Sequence, residues 1–190
     1  MYWNAELETQ PWAEVARWQA AQLAAALPGL RERSAFYARH LAATPTAPAL
    51  DTLAGLAALP FTLKDDLRAA QAAVSDAQPL GDNQAVPADA LLQTLCSSGT
   101  TGQPMYYGLT RHDMAVFADA IANTWFTAGV RRGDIVAHLV GLPMVAGGLA
   151  YADGFRHLGA TLCSPKNPAC GLCPFADRCE ARRLGTAETF

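Results

Sequence analysis

Leu91-Leu92-Gln93-Thr94-Leu95-Cys96-Ser97-Ser98-Gly99-Thr100-Thr101-Gly102-Gln103-Pro104-Met105-Tyr106-Tyr107-Gly108-Leu109 is the stretch on which the fold turns. Residues 91–96 read as a buried strand and residues 105–109 as a second, joined by a run of serine, glycine and threonine. Glycines let backbone N–H groups converge on an anion without obstruction by Cβ, and the hydroxyls supply further donors. A loop of this composition can hold a triphosphate. It is not a Walker loop, because the glycine, lysine and serine or threonine spacing is absent and no helix follows directly. A polar hairpin that only turns the chain is the bland alternative.

Outward from this loop, residues 111–128 have helical periodicity with Thr110 as candidate cap, residues 135–140 read as another strand, Gly147-Gly148 precedes a helix, and residues 159–162 suggest one more strand. Strands and helices alternate, so the central part is expected to be α/β. Upstream, residues 11–27 form a helical pattern that Pro28-Gly29 is expected to end, and residues 30–43 a second one closed by Pro45 and Pro48. A shorter helix follows Asp51, and another starts at Thr62, accounting for the charges of Lys64, Asp65, Asp66 and Arg68. Residues 75–89 are polar and rich in turn formers, which suggests a surface loop. The expected organisation is a helical region over 1–74, an α/β nucleotide-binding portion over 75–162, and a tail over 163–190.

With 190 residues, 51% hydrophobic and 16% charged, the chain can bury a core. Its net charge of -3 gives no electrostatic drive toward nucleic acid. No apolar run reaches the roughly eighteen residues of a membrane span, and Met1-Tyr2-Trp3-Asn4 does not open a signal peptide, so a cytoplasmic location is expected. His40, His112, His138 and His157 are scattered without ligand spacing and read as packing or surface residues. Cys96, in an apolar strand, reads as core.

The run Ser97 to Pro104 resembles the phosphate-binding signature of adenylate-forming enzymes. Tyr2-Trp3-Asn4, residues 32–37, Leu59-Pro60-Phe61-Thr62-Leu63-Lys64-Asp65-Asp66-Leu67-Arg68, residues 129–136 and residues 147–161 are similar to the phenylacetate-CoA ligase branch. The resemblance spans residues 1–162. It implies an ATP-dependent acid-CoA ligase that makes an acyl-adenylate, with ATP, Mg2+ and CoA as cofactors and a small carboxylic acid and a nucleotide as partners. It further implies that Ser97, Ser98, Gly99, Thr100, Thr101 and Gly102 wrap the β and γ phosphates. Gln103 stands where many members carry lysine, and Leu142-Pro143-Met144-Val145 replaces an aromatic-rich stretch, which argues against an aromatic acid. The family's later catalytic parts have no counterpart in the sequence, so no catalytic residue is assigned and the ligase is expected to be truncated and incomplete for catalysis.

Cys163, Cys170, Cys173 and Cys179 are spaced C-x6-C-x2-C-x5-C. Thiols kept reduced at this density suggest metal ligation, and one close pair with wide gaps on either side suits an iron-sulfur cluster better than a zinc knuckle. The run from Cys163 to Cys179 resembles the 4Fe-4S loop of endonuclease III and adenine DNA glycosylases, which implies all four cysteines as ligands, and with Gly185 to Phe190 the resemblance covers residues 159–190. Zinc remains the alternative metal, and a loop without metal stays open. Neither the helix-hairpin-helix segment nor the catalytic aspartate of those glycosylases is found in residues 1–162, so base flipping and DNA binding are not expected. Lys166, Arg178, Arg182 and Arg183 read as a solvated basic face.

The two resemblances meet at residues 158–163. The sequence therefore reads as an incomplete adenylate-forming N-terminal subdomain with a helical cap, plus a small four-cysteine iron-sulfur loop. Two other readings stand beside it: a glycosylase-type cluster-binding module, and a nonfunctional fusion relic. Homo-oligomerisation stays open.

Overall fold

The computed structural model describes residues 1–44, 52–97, 103–138, 146–163, 170–172 and 176–185. Its contacts divide the chain into two compact units, residues 4–110 and residues 1–3 with 111–190.

The first unit opens with the short helix α1 (Ala5–Glu8), capped where Asn4 Oδ1 accepts from Leu7 N at 3.1 Å. The long helix α2 (Trp12–Arg33) follows. It runs through Pro28 and Gly29, where the sequence had suggested a stop. Proline deletes a single ladder hydrogen bond, and the last turn is tied from downstream instead: Arg31 Nη2 donates to the carbonyls of Leu41 and Thr44, both at 3.0 Å. The break falls at Ser34, whose extended backbone (φ -119°, ψ 117°) starts α3 (Ala35–His40).

Residues 53–58 form a 3-10 turn. Helix α4 (Lys64–Ala72) takes Leu63 rather than Thr62 as its cap, because the Asp66 carboxylate reaches back to accept from Leu63 N at 2.8 Å. The segment expected to be a surface loop is exposed at residues 75–77 and 87–89, and only its centre folds inward, where Gly81, Asp82 and Gln84 are buried. The Asp82 carbonyl accepts from Phe36 N and from Ser34 Oγ, each at 3.0 Å, while Asp82 N donates to Ala70 O at 3.0 Å. Its carboxylate pairs with Arg39. One residue thus joins α3 to α4. Gly81 makes this approach feasible, since at φ +93° a Cβ would lie 2.3 Å from the Ala70 carbonyl oxygen.

Strands β1 (Gln93–Cys96) and β2 (Tyr106–Leu109) then pair antiparallel, with Gln93 opposite Leu109 and Cys96 opposite Tyr106. Leu95, Cys96 and Met105 are buried at this ribbon, as are Ala20, Phe36, Leu41 and Ala70 on the helices.

The second unit is built on α5 (Arg111–Thr127), β3 (Ile135–Ala137), α6 (Ala146–Leu158) and β4 (Thr161–Cys163). β3 and β4 pair in parallel, with Ile135 opposite Thr161 and Ala137 opposite Cys163, so α6 is the crossover of a β-α-β unit. Ala122, Phe155, Leu158 and Ala160 form its core, covered by Trp3, Trp125, Phe126, Val130 and Val136. Gly147 and Gly148 fall inside α6 rather than ahead of it. The chain closes with 3-10 turns at Cys170–Leu172 and Ala176–Arg178 and the short α7 (Glu180–Arg183). The protein is thus mixed in helix and strand, and it holds two separate two-stranded sheets among the described residues. No helix among those residues is long and apolar enough to cross a membrane.

Candidate functional site

The strand ending in the buried Leu95 and Cys96, together with the turn-forming sequence beyond it, makes a hairpin whose neck is closed twice by the same pair of residues. Ser97 N donates to Met105 O at 2.9 Å, and Met105 N donates to Ser97 Oγ at 2.9 Å. Because Ser97 Oγ serves as an acceptor there, its own O–H remains to donate elsewhere. Met105 is almost fully buried, at 1% exposure, so the neck is anchored in the core. Ser98, Gly99, Thr100, Thr101 and Gly102 lie outside the described residues. Gln103, just beyond them, is exposed. A neutral carboxamide there offers hydrogen bonds but no charge to a polyphosphate.

On the opposite side of the neck, the Gln71 side chain of α4 donates from Nε2 to Pro104 O at 3.1 Å and accepts at Oε1 from Tyr106 N at 2.8 Å. Nothing in the sequence pattern singles out Gln71. A glutamine on a helix reads as solvated until the strand it faces is known.

Leu142, Pro143, Met144 and Val145, the stretch expected to line an acid pocket, lie outside the described residues. His138, just after β3, is buried at 6% exposure against the Phe155 ring, and its Nε2 has no hydrogen-bond partner among the described residues. His40 stacks on Phe36 and its Nε2 lies 3.1 Å from Phe61 O, and His157 Nε2 lies 3.3 Å from Asp119 Oδ1. These three histidines contact different partners.

In the tail, Cys170 and Cys179 are partly buried free thiols. The backbone around them is short-turned: Arg183 N donates to Cys179 O at 3.0 Å, and Arg182 Nη1 lies 3.5 Å from Cys170 O. Cys163 is the last residue of β4, and Cys173 lies outside the described residues. Two reduced thiols on a tight frame fit the soft-donor chemistry of an iron-sulfur cluster or zinc. Among the described residues no group of three or more His, Cys, Asp or Glu side chains is placed to hold a metal ion.

Comparison with known proteins agrees with both parts. A phenylacetate-coenzyme A ligase of Thermus thermophilus is 34% identical over 163 residues, which is 85% of this chain and 35% of the relative. One from Pseudomonas putida is 38% identical over 113 residues, covering 60% of this chain and 24% of that protein. In fold, the chain is similar to a 2-hydroxyisobutyryl-CoA ligase solved with 2-HIB-AMP and CoA in the thioesterification state. That match has a TM-score of 0.78 and 30% identity, and it covers 90% of this chain and 36% of the ligase. The family model for the iron-sulfur binding domain of endonuclease III matches residues 163–179. The chain is thus similar to phenylacetate-CoA ligases over most of its length, spans about a quarter to a third of the length of those it matches, and carries an endonuclease III-like segment near its end.

Proposed function

We propose that this chain is the phosphate-gripping front part of an AMP-forming acid-CoA ligase. The observation that carries the proposal is its likeness in fold to a ligase that holds an acyl-adenylate and CoA. The hairpin neck at Ser97 and Met105 supplies the local geometry: it brings together the two ends of a loop rich in hydroxyls and glycine. In the proposed reaction the carboxylate oxygen of the acid attacks the α-phosphorus of ATP, and pyrophosphate leaves. The CoA thiolate then attacks the acyl carbon and displaces AMP. Ser97, Ser98, Gly99, Thr100, Thr101 and Gly102 would hold the β and γ phosphates by hydrogen bonds, with Mg2+ balancing their charge. Since Gln103 brings no positive charge, the nucleotide is held without the point charge that a lysine would give. The acid is proposed to be aliphatic, from the Leu142, Pro143, Met144 and Val145 side chains.

Calorimetric titration of the 190-residue protein with MgATP tests this proposal. Saturable binding is expected, and it should be lost in the Ser98→Ala/Thr101→Ala double variant with circular dichroism unchanged. Absence of saturable binding by the wild-type chain would overturn the assignment.

A second reading is favoured by the match over residues 163–179 and by the free thiols of Cys170 and Cys179. In it, Cys163, Cys170, Cys173 and Cys179 hold a 4Fe-4S cluster, with Zn2+ as the alternative metal, and this tail functions independently of the nucleotide loop.

A further inference from the structure

Backbone alternation gives the segment Pro104-Met105-Tyr106 two faces. The N–H and C=O of Met105 point to one side, where Ser97 receives both through its Oγ and N–H. The C=O of Pro104 and the N–H of Tyr106 point to the other side, where the Gln71 carboxamide receives both. A primary amide presents one donor and one acceptor at the spacing of a peptide group, so Gln71 acts as a one-residue substitute for a neighbouring strand. The base of Gln71 is itself fixed, because the adjacent Ala70 carbonyl accepts from Asp82 N at 3.0 Å. The segment Pro104-Met105-Tyr106, the downstream leg of the loop, is therefore held by four hydrogen bonds from two directions.

We infer that Gln71 is a positioning residue for the phosphate loop: by clamping the Pro104 carbonyl and the Tyr106 amide it pre-sets the downstream leg, so that nucleotide binding does not have to order it. This rests on the reading of residues 97–102 as a phosphate loop. A leg ordered in advance lowers the entropic cost of closing donors around an anion, so the effect belongs in affinity and not only in stability. Gln71 touches no phosphate in this account. It acts through the backbone of Pro104 and Tyr106.

The test is MgATP titration of the full chain carrying Gln71→Met, which keeps the side-chain length and removes both hydrogen bonds. It is run beside Ala69→Gly, an exposed position that weakens the same helix without touching the clamp. The Gln71→Met variant is expected to bind MgATP about tenfold more weakly, in line with loss of two hydrogen bonds from the loop's support. Hydrogen exchange at the Tyr106 amide should accelerate in it, whereas Ala69→Gly retains wild-type affinity. Unchanged affinity in Gln71→Met overturns the inference while leaving the phosphate loop standing. So does a loss of affinity in both variants that tracks their melting temperatures, since that makes Gln71 merely structural. A wild-type chain that binds no MgATP overturns the loop assignment and this inference together, and that failure is visible before any substitution is made.

Discussion

The indole N–H of Trp3 donates to Asp119 Oδ1 at 2.9 Å across 116 positions of sequence. The Trp3 ring also lies 5.7 Å from that of Phe126 and 5.9 Å from that of His157, which itself approaches the same carboxylate oxygen. The first three residues therefore pack with α5 and α6 rather than with the helix they immediately precede. Trp3→Phe keeps the ring packing and removes the hydrogen bond, and should lower unfolding stability by about 1 kcal/mol. Trp3→Ala removes both, and should cost roughly 2–4 kcal/mol. Urea denaturation followed by circular dichroism measures the difference, and a Trp3→Phe variant as stable as the wild type would show that the bond contributes nothing.

Helices α5 and α6 approach closely at Gly154, where an added Cβ would lie 2.2 Å from Ile121 Cγ2 and 2.6 Å from Ile121 Cβ. Two effects of Gly154→Ala oppose each other. Alanine gains up to about 1 kcal/mol in helix propensity, while overpacking of a filled core costs about 1–3 kcal/mol. The clash reaches the stiff, branched Cβ of Ile121, which cannot rotate away, so the second effect wins. Gly154→Ala is expected to lower the melting temperature, and a rise would refute the close packing.

Much of this organisation was legible in the sequence, and the misreadings share a cause. Both strands flanking the glycine-rich loop, the helix after Thr110 and the strands of the β-α-β unit follow from local periodicity and turn residues, with ends shifted by a few residues. The turn at Pro28-Gly29 misled because a proline's lost hydrogen bond is local, whereas the carbonyl contacts of Arg31 that hold the helix end come from residues ten and thirteen positions away. Gly81, Asp82 and Gln84, at the centre of a segment that is otherwise largely at the surface, read as solvent-facing because polar composition does not reveal that their partners lie within the protein. Gln71 was invisible for the same reason.

Gln84 illustrates that point and gives a third prediction. Its buried carboxamide accepts from Leu80 N at 3.2 Å and donates to Val86 O at 2.8 Å and Ala77 O at 3.3 Å, acting as an internal brace for the loop. Gln84→Leu preserves bulk but strands these backbone groups away from water, and should destabilise by roughly 2–3 kcal/mol. Gly81→Ala should cost at least as much, because the positive φ and the Ala70 carbonyl both oppose a Cβ. Chemical denaturation of each variant measures this, and stability equal to wild type in both would mean that the loop is not folded inward.

For the cysteine tail, protein purified without chelator is expected to contain iron and absorb broadly in the visible. Cys170→Ser and Cys179→Ser should each lose the colour, while Cys96→Ala, whose thiol is buried in the other unit, should keep it. Zinc in place of iron by elemental analysis would select the alternative metal, and no metal at all would remove the cluster from the account.

Among the described residues each sheet consists of only two strands, so every strand there has one rim of amides and carbonyls without a partner in its own ribbon. Such rims are templates for any extended backbone that reaches them, and isolated ribbons depend on neighbours for their endurance. Handling at high concentration or after mild heating therefore favours adhesion between molecules through strand pairing, and a donated extended peptide would compete with that self-adhesion.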